Sequence, residues 1–179
     1  MSGTFVLSRP VGVADLPSAP VEIVARPAER EALAAAYDLV AVNSLAATVS
    51  LAPAPGGGVM VEGHVVADIV QTCVVSLVPV SEHIDETFSV LFVRDPGRLH
   101  KPGAEIVVDP AAPDPPELLE GPTLDVGGLA EEYFALAINP YPRAPDAALP
   151  ADIAVGEGAE KQSPFAILAA LAKSPLGKG

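Results

Sequence analysis

The sequence predicts an α+β fold: an antiparallel, curved sheet of five or six strands packed with two helices, plus a short C-terminal helix on a Pro/Ala/Gly-rich linker. Three observations carry that expectation. Apolar residues alternate with period two over long stretches between residues 45 and 93. Two segments, near residues 27–38 and 125–138, have helical periodicity, and prolines and glycines punctuate the rest. Strands with one polar face suit an antiparallel sheet whose other face is covered by helices.

Taken in chain order, Thr4 to Leu7 and Val21 to Ala25 read as short strands separated by Gly12, Pro17 and Pro20. In the segment Arg26 to Asp38, Pro27 suits the first helical position, and Glu29 and Glu31 sit in the favourable N-terminal turn. Leu33, Ala36, Tyr37 and Val40 share its apolar stripe, with Glu29, Arg30 and Asp38 pointing elsewhere. From Leu45 to Leu51 the period becomes two, and PAPGGG (Pro53 to Gly58) makes a turn. The next strand, Val59 to Val70, places Val61, Val65 and Ile69 on one face and Glu62, His64 and Asp68 on the other, completing a long hairpin. Cys73 to Val78 and Thr87 to Val93 read as a second hairpin around a polar link, Ser81 to Glu86. Asp125 is a plausible N-cap for a helix through Ile138, with Val126, Leu129, Tyr133 and Leu136 on its apolar stripe. The expected organisation is one domain over 1–139, a flexible linker over 140–162 and a helical tail over 163–179, in which Ser163 and Pro164 open a helix that Ser174, Pro175 and Gly177 end.

Composition narrows the function classes. The chain has 179 residues, 23 acids against 10 bases, a net charge of −13 and a pI near 4.4. A basic face that neutralises phosphates is therefore excluded as the design of the whole protein. Hydrophobic residues make up 50%, enough for a core, though with no Trp that core is aliphatic. A single cysteine, Cys73, makes no intramolecular disulfide. Neither a signal peptide nor a membrane-spanning stretch is legible, and a cytoplasmic location is expected. The charge is unevenly placed. From Pro102 to Pro142 no Lys or Arg occurs, yet eight acids do: Glu105, Asp109, Asp114, Glu117, Glu120, Asp125, Glu131 and Glu132. The last 19 residues hold Lys161, Lys173 and Lys178 and no acid.

The search for reaction chemistry is largely negative. His64, His83 and His100 form no metal-binding spacing, so no metal or cofactor is expected. Cys73 lies in an apolar run without a neighbouring base and reads as a small buried hydrophobe. Asp68, Asp85 and Glu86 are able to pair across a sheet, but nothing ranks them as an acid/base couple. Gly56 to Gly58 precede a strand, not a helix N-terminus, and make no phosphate loop. Arg94, Arg98 and Lys101 read as a solvated turn.

Five segments, in order, resemble the YceD family, the large ribosomal RNA subunit accumulation proteins, in the form common in alphaproteobacteria. They are FVLSRPV, AEREALA, VEGHVVADIVQTCVVSLVPVSEHIDETFSVLF, LDVGGLAEEYFALAINPYPRAP and SPFAILAAL. The family pattern often carries a CxxC-like pair where this chain has Cys73 followed by Val74, Val75 and Ser76, so a metal or redox role does not carry over. Ser163 stands where the family usually has Asn before Pro-Phe, and both are good N-caps.

The resemblance implies a non-enzymatic part in synthesis, processing or stability of large-subunit ribosomal RNA. Charge then directs attention to a basic ribosomal or assembly protein as partner, with direct RNA contact left open and no membrane or small-molecule substrate expected. The acidic residues Glu105 to Glu132 and the tail residues Phe165, Leu168 and Leu171 are the candidate partner-binding elements. A solvating surface for the former, and packing on the chain's own domain for the latter, remain as readings. An acidic adaptor or chaperone for one basic protein, without ribosomal specificity, is the alternative function.

Overall fold

The computed structural model describes residues 5–95 and 115–148. The order of elements is β1 (Pro10–Gly12), β2 (Val21–Val24), α1 (Pro27–Ala36), β3 (Ala41–Ala54), β4 (Gly58–Thr72), β5 (Pro79–Val93), β6 (Glu117–Leu118), β7 (Thr123–Asp125) and α2 (Val126–Ala137). Five strands form one sheet in the order β2-β3-β4-β5-β6, while β1 and β7 pair separately. All pairs are antiparallel except β5 with β6, which run parallel through Phe92 and Val93.

Alternation decides which face of the sheet is dry. Val59, Val61, Val65, Ala67 and Ile69 of β4 are buried beside Leu45, Ala47 and Val49 of β3 and Ile84, Phe88, Val90 and Phe92 of β5. Leu33 of α1 and Val126, Leu129, Ala130 and Phe134 of α2 join the same core. Both helices thus contribute to the core on this face. The three long strands meet at Pro55 to Gly57, where Gly56 and Gly57 take φ of 76° and 73°, and at residues 73–78. The first turn is the one read from PAPGGG. Its left-handed backbone is accessible to glycine without steric cost.

α2 meets the end of α1 and the sheet through rings. Phe134 packs edge-on against Tyr37 at 5.8 Å, and Tyr133 stacks on Phe88 at 4.3 Å. Phe88 opposes Gly63 across the β4–β5 ladder, and a Cβ at Gly63 would run into its ring. The ring covers a strand glycine, so the aromatic face replaces the missing side chain.

A carboxylate cluster attaches the N-terminal segment to both helices. Asp125 Oδ1 caps α2 by accepting from Gly128 N–H at 3.0 Å and also accepts Arg9 N–H at 2.6 Å. Glu131 accepts Leu7 N–H at 2.8 Å and the Tyr37 hydroxyl at 3.0 Å. Glu29 accepts Arg26 N–H and the Arg26 and Arg9 guanidinium groups, at 2.7 to 2.8 Å. The Arg26 guanidinium is the main reason Glu29 lies at about 2, against the opposing effect of burial. Burial, with the nearby Glu131 carboxylate, pushes Tyr37 up to about 12. For Asp125, burial acts upward, but hydrogen bonds from the Ser8 side chain and three backbone N–H groups outweigh it and leave its pKa lowered.

Four expectations need correction. Phe5 to Leu7 is not a strand; the strand in this region is Pro10–Gly12, because residues 5–9 are held by α2 and not by a ladder. Cys73 to Val78 is the turn between β4 and β5, and Ser81 to Glu86, read as a link, lies inside β5. An apolar run alone does not distinguish strand from turn, and here backbone N–H groups are satisfied by the Cys73 sulfur. On α1, Glu29 faces inward and is 7% exposed, whereas Ala36, and Val40 beyond the helix end, face solvent. On α2, Leu136 is 74% exposed. Val126 and Leu129 are buried as expected, but the inward face also holds Ala130, Glu131 and Phe134, and Gly127 and Gly128 leave the space in which the N-terminal segment passes. Most of the predicted linker and the whole tail helix lie outside the described residues.

Two substitutions, each with its own control, test this arrangement. A Cβ at Gly127 would collide with the Leu7 carbonyl oxygen, so Gly127→Ala is expected to cost roughly 2–4 kcal/mol in urea unfolding. Gly12→Ala, where a Cβ meets nothing within 4 Å, should be near neutral. Glu131→Ala leaves two donors without their acceptor, each worth about 1–3 kcal/mol. Its unfolding midpoint should fall well below that of Glu131→Gln, which keeps one acceptor oxygen.

Candidate functional surfaces

With both helices contributing to the core on one face, the other face of β2 to β5 presents its side chains outward. Ser44, Ser50, Glu62, His64, Asp68 and Ser89 are exposed there. The register arranges them in rows across the strands. Glu22 opposes Thr48, which opposes His64, which opposes Thr87. Two rows away, beyond Ala46, Val66 and Asp85, Ser44 opposes Asp68, which opposes His83. Thr48 donates to Glu22 at 2.9 Å, and His64 Nε2 lies 2.7 Å from Asp85 on a diagonal. Ser44 donates to Asp68 Oδ2 at 2.8 Å while His83 Nδ1 lies 2.8 Å from Asp68 Oδ1. Hydrogen bonding to His83, then Ser44, lowers the pKa of Asp68. A shallow depression of about 630 Å³ lies over this face, lined by Thr48, Ser50, Glu62, His64, Thr87 and Ser89 among others.

Serine, aspartate and histidine meet here, but in the wrong order for nucleophilic catalysis. A serine nucleophile needs the imidazole beside its hydroxyl with the carboxylate behind it. In this row the carboxylate stands between the other two, so the imidazole does not reach the Ser44 proton. All three groups are also solvated. Among the described residues no group of three or more His, Cys, Asp or Glu side chains is placed to hold a metal.

The second feature is the β4–β5 turn. Cys73 is fully buried, and its Sγ accepts N–H groups from Val75 at 3.4 Å, Ser76 at 3.3 Å and Ala144 at 3.3 Å. Val74 N–H donates to the Pro142 carbonyl, so the segment after α2 lies along this turn. The Ser76 hydroxyl, followed by the Ser76 and Ala144 amides, lowers the Cys73 thiol to about 6 against the effect of burial. The reading of Cys73 as buried holds; the reading of its surroundings as merely apolar does not. Amides from three residues substitute for the absent basic neighbour, and no sequence signal announces the contribution of Ala144, 71 residues away.

The structure separates the acids singled out in the sequence. Glu131 is 4% exposed and committed to Leu7 and Tyr37, and Asp125 is the α2 cap, so both serve the fold. Glu117, Glu120 and Glu132 are exposed; partial desolvation of its carboxylate and the neighbouring Glu132 raise the pKa of Glu117. Glu105, Asp109, Asp114, Phe165, Leu168 and Leu171 lie outside the described residues. The sequence placed Glu62, His64 and Asp68 on one strand face and allowed Asp85 to pair across a sheet, but put His83 and Asp85 in a link and missed His83 opposite Asp68. The signal was the alternation of His83, Asp85, Thr87 and Ser89 with Ile84, Phe88 and Val90, hidden by reading Ser81 to Glu86 as a link.

The molecule is thus an α+β protein with an open polar sheet face, a buried thiol held by amides and no assembled catalytic group among the described residues. Over residues 61–172 the chain matches the model of the YceD family, described as large ribosomal RNA subunit accumulation protein YceD, and it belongs to that family. No curated protein and no solved structure matches the chain. Among the described residues no helix is long and apolar enough to cross a membrane.

The Cys73 turn makes a testable pH claim. Its folded pKa lies below that of an unfolded thiol, about 8.5, so its contribution to stability is full above that value and is lost as pH falls through about 6. Ultraviolet titration of the thiolate should show a midpoint near 6, moving upward in Ser76→Ala. A midpoint at the ordinary thiol value in both proteins would contradict the assignment.

Proposed function

We propose that this chain is a non-enzymatic, cytoplasmic factor in ribosome biogenesis that supports synthesis, processing or stability of large-subunit ribosomal RNA by contacting basic proteins. Membership of the YceD family carries the first half of this reading. The net charge of −13 supports the second half. Phosphates repel such a chain at long range, whereas proteins that bind ribosomal RNA present lysine and arginine to those phosphates and so offer it a complementary surface. The exposed carboxylates Glu117, Glu120 and Glu132 are available for such contacts, and the tail residues Phe165, Leu168 and Leu171 are proposed as a second docking element.

Deleting the gene should lower large-subunit ribosomal RNA relative to small-subunit RNA, and the protein should co-sediment with large-subunit precursors in a low-salt gradient. Unchanged RNA levels together with migration only at the top of the gradient would refute the ribosomal role. Ribonuclease treatment separates the modes of contact: an association made through protein survives it.

A further inference from the structure

Among the described residues, no element covers the face of β2 to β5 that is turned away from the two helices. Along β4 the outward positions are Met60, Glu62, His64, Val66, Asp68 and Val70, and β5 sets Ser89, Thr87, Asp85 and His83 beside them. Four carboxylates, Glu22, Glu62, Asp68 and Asp85, lie on this face, and none of its described positions holds Lys or Arg. No ring of Phe, Tyr or Trp occupies it either, so it is not an apolar docking surface. The remaining positions are mostly Ser, Thr, Ala and Val, which keep the face low and leave the depression over Thr48, Glu62, His64 and Thr87.

Three of the four carboxylates are already positioned. Thr48 holds Glu22, His64 contacts Asp85, and Ser44 with His83 holds Asp68. Each keeps lone pairs free for a further donor, since an ionised carboxylate has about four acceptor sites. Glu62 and Asp68 lie six residues apart on one strand, about 20 Å. That span matches several residues of an extended chain, whose long side chains recur on one side about every 7 Å.

We propose that this sheet face is a docking surface for an extended lysine- and arginine-rich protein segment. The proposal rests on the reading that the protein acts through basic partners, and it assigns the main contact to Glu22, Glu62, Asp68 and Asp85, ahead of the exposed Glu117, Glu120 and Glu132. Charge complementarity identifies the occupant. A nucleic acid would bring phosphates against four carboxylates, and a second copy would bring the same sign against itself.

The test compares two full-length variants of equal charge change, Glu62→Gln/Asp68→Asn/Asp85→Asn and Glu117→Gln/Glu120→Gln/Glu132→Gln, for binding to a fluorescent oligolysine peptide. The amides keep side-chain size and hydrogen bonding, and thermal unfolding checks that both variants fold. The sheet-face variant should lose about tenfold or more in affinity and much of the salt dependence, the other variant less than about threefold. Equal losses would overturn the proposal, because binding would then follow net charge alone. So would gain of binding to a ribosomal RNA fragment by the sheet-face variant at unchanged peptide affinity. Absence of peptide binding by the unmodified chain at low salt would instead overturn the basic-partner reading on which the proposal rests. Co-sedimentation with large-subunit precursors that is lost in the sheet-face variant alone would support both.

Discussion

The fold depends on how residues 5–9 lie across the first turn of α2. Two glycines make the approach sterically possible, and two carboxylates make it specific. Gly127 and Gly128 leave no side chain where Leu7 and Phe5 pass, while Asp125 and Glu131 accept the Arg9 and Leu7 amides. The same carboxylate of Glu131 reaches Tyr37 just beyond α1, and Arg9 reaches Glu29 within α1. One polar cluster, buried at Glu131 and Glu29, therefore ties both helices to the N-terminal segment. Buried groups of this kind are costly unless every partner is present, which gives the arrangement a defined register and not merely a hydrophobic one.

That constraint passes directly to the functional surfaces. Because α2 is held by its N-terminal turn, Phe134 and Tyr133 arrive over Tyr37 and Phe88, and the chain leaving α2 is directed to the β4–β5 turn, where Ala144 donates to Cys73. Because both helices are drawn into the core on one face, the other is left to Glu22, Thr48, His64, Asp68, His83 and Asp85. The thiol and the open face are consequences of one packing decision. Among the described residues, neither forms a nucleophile-and-base pair.

Legibility in the sequence followed the range of the interactions. The α+β class, both helices and the β3–β4 hairpin rest on local signals: alternation over 45–70, Pro27 at a helix start, Asp125 as a cap, and a Gly-rich turn at 55–57. All of them appear in the structure. What misled were segments whose local pattern is ambiguous. Cys73 to Val78 is as apolar as a strand, and only sulfur-to-amide hydrogen bonds reveal it as a turn. Ser81 to Glu86 is as polar as a loop, and only pairing with Val70 to Val65 makes it a strand. The acids of 105–132 look alike in sequence, yet Glu131 is buried and Glu132, its neighbour, is exposed.

Short-range physics therefore specified this protein's class, its charge of −13 and the absence of a basic phosphate-binding design, since periodicity, capping and composition are properties of the chain itself. The family resemblance was also readable, because its five segments keep their order along the chain. Which carboxylates became structure and which became surface was decided only in three dimensions. Burial is a property of what packs above a residue, and for Glu131 those neighbours are Leu7 and Tyr37, 124 and 94 residues away. The open sheet face has the same origin: alternation says that a strand has two faces, but only the docking of both helices on one of them determines which is left to solvent.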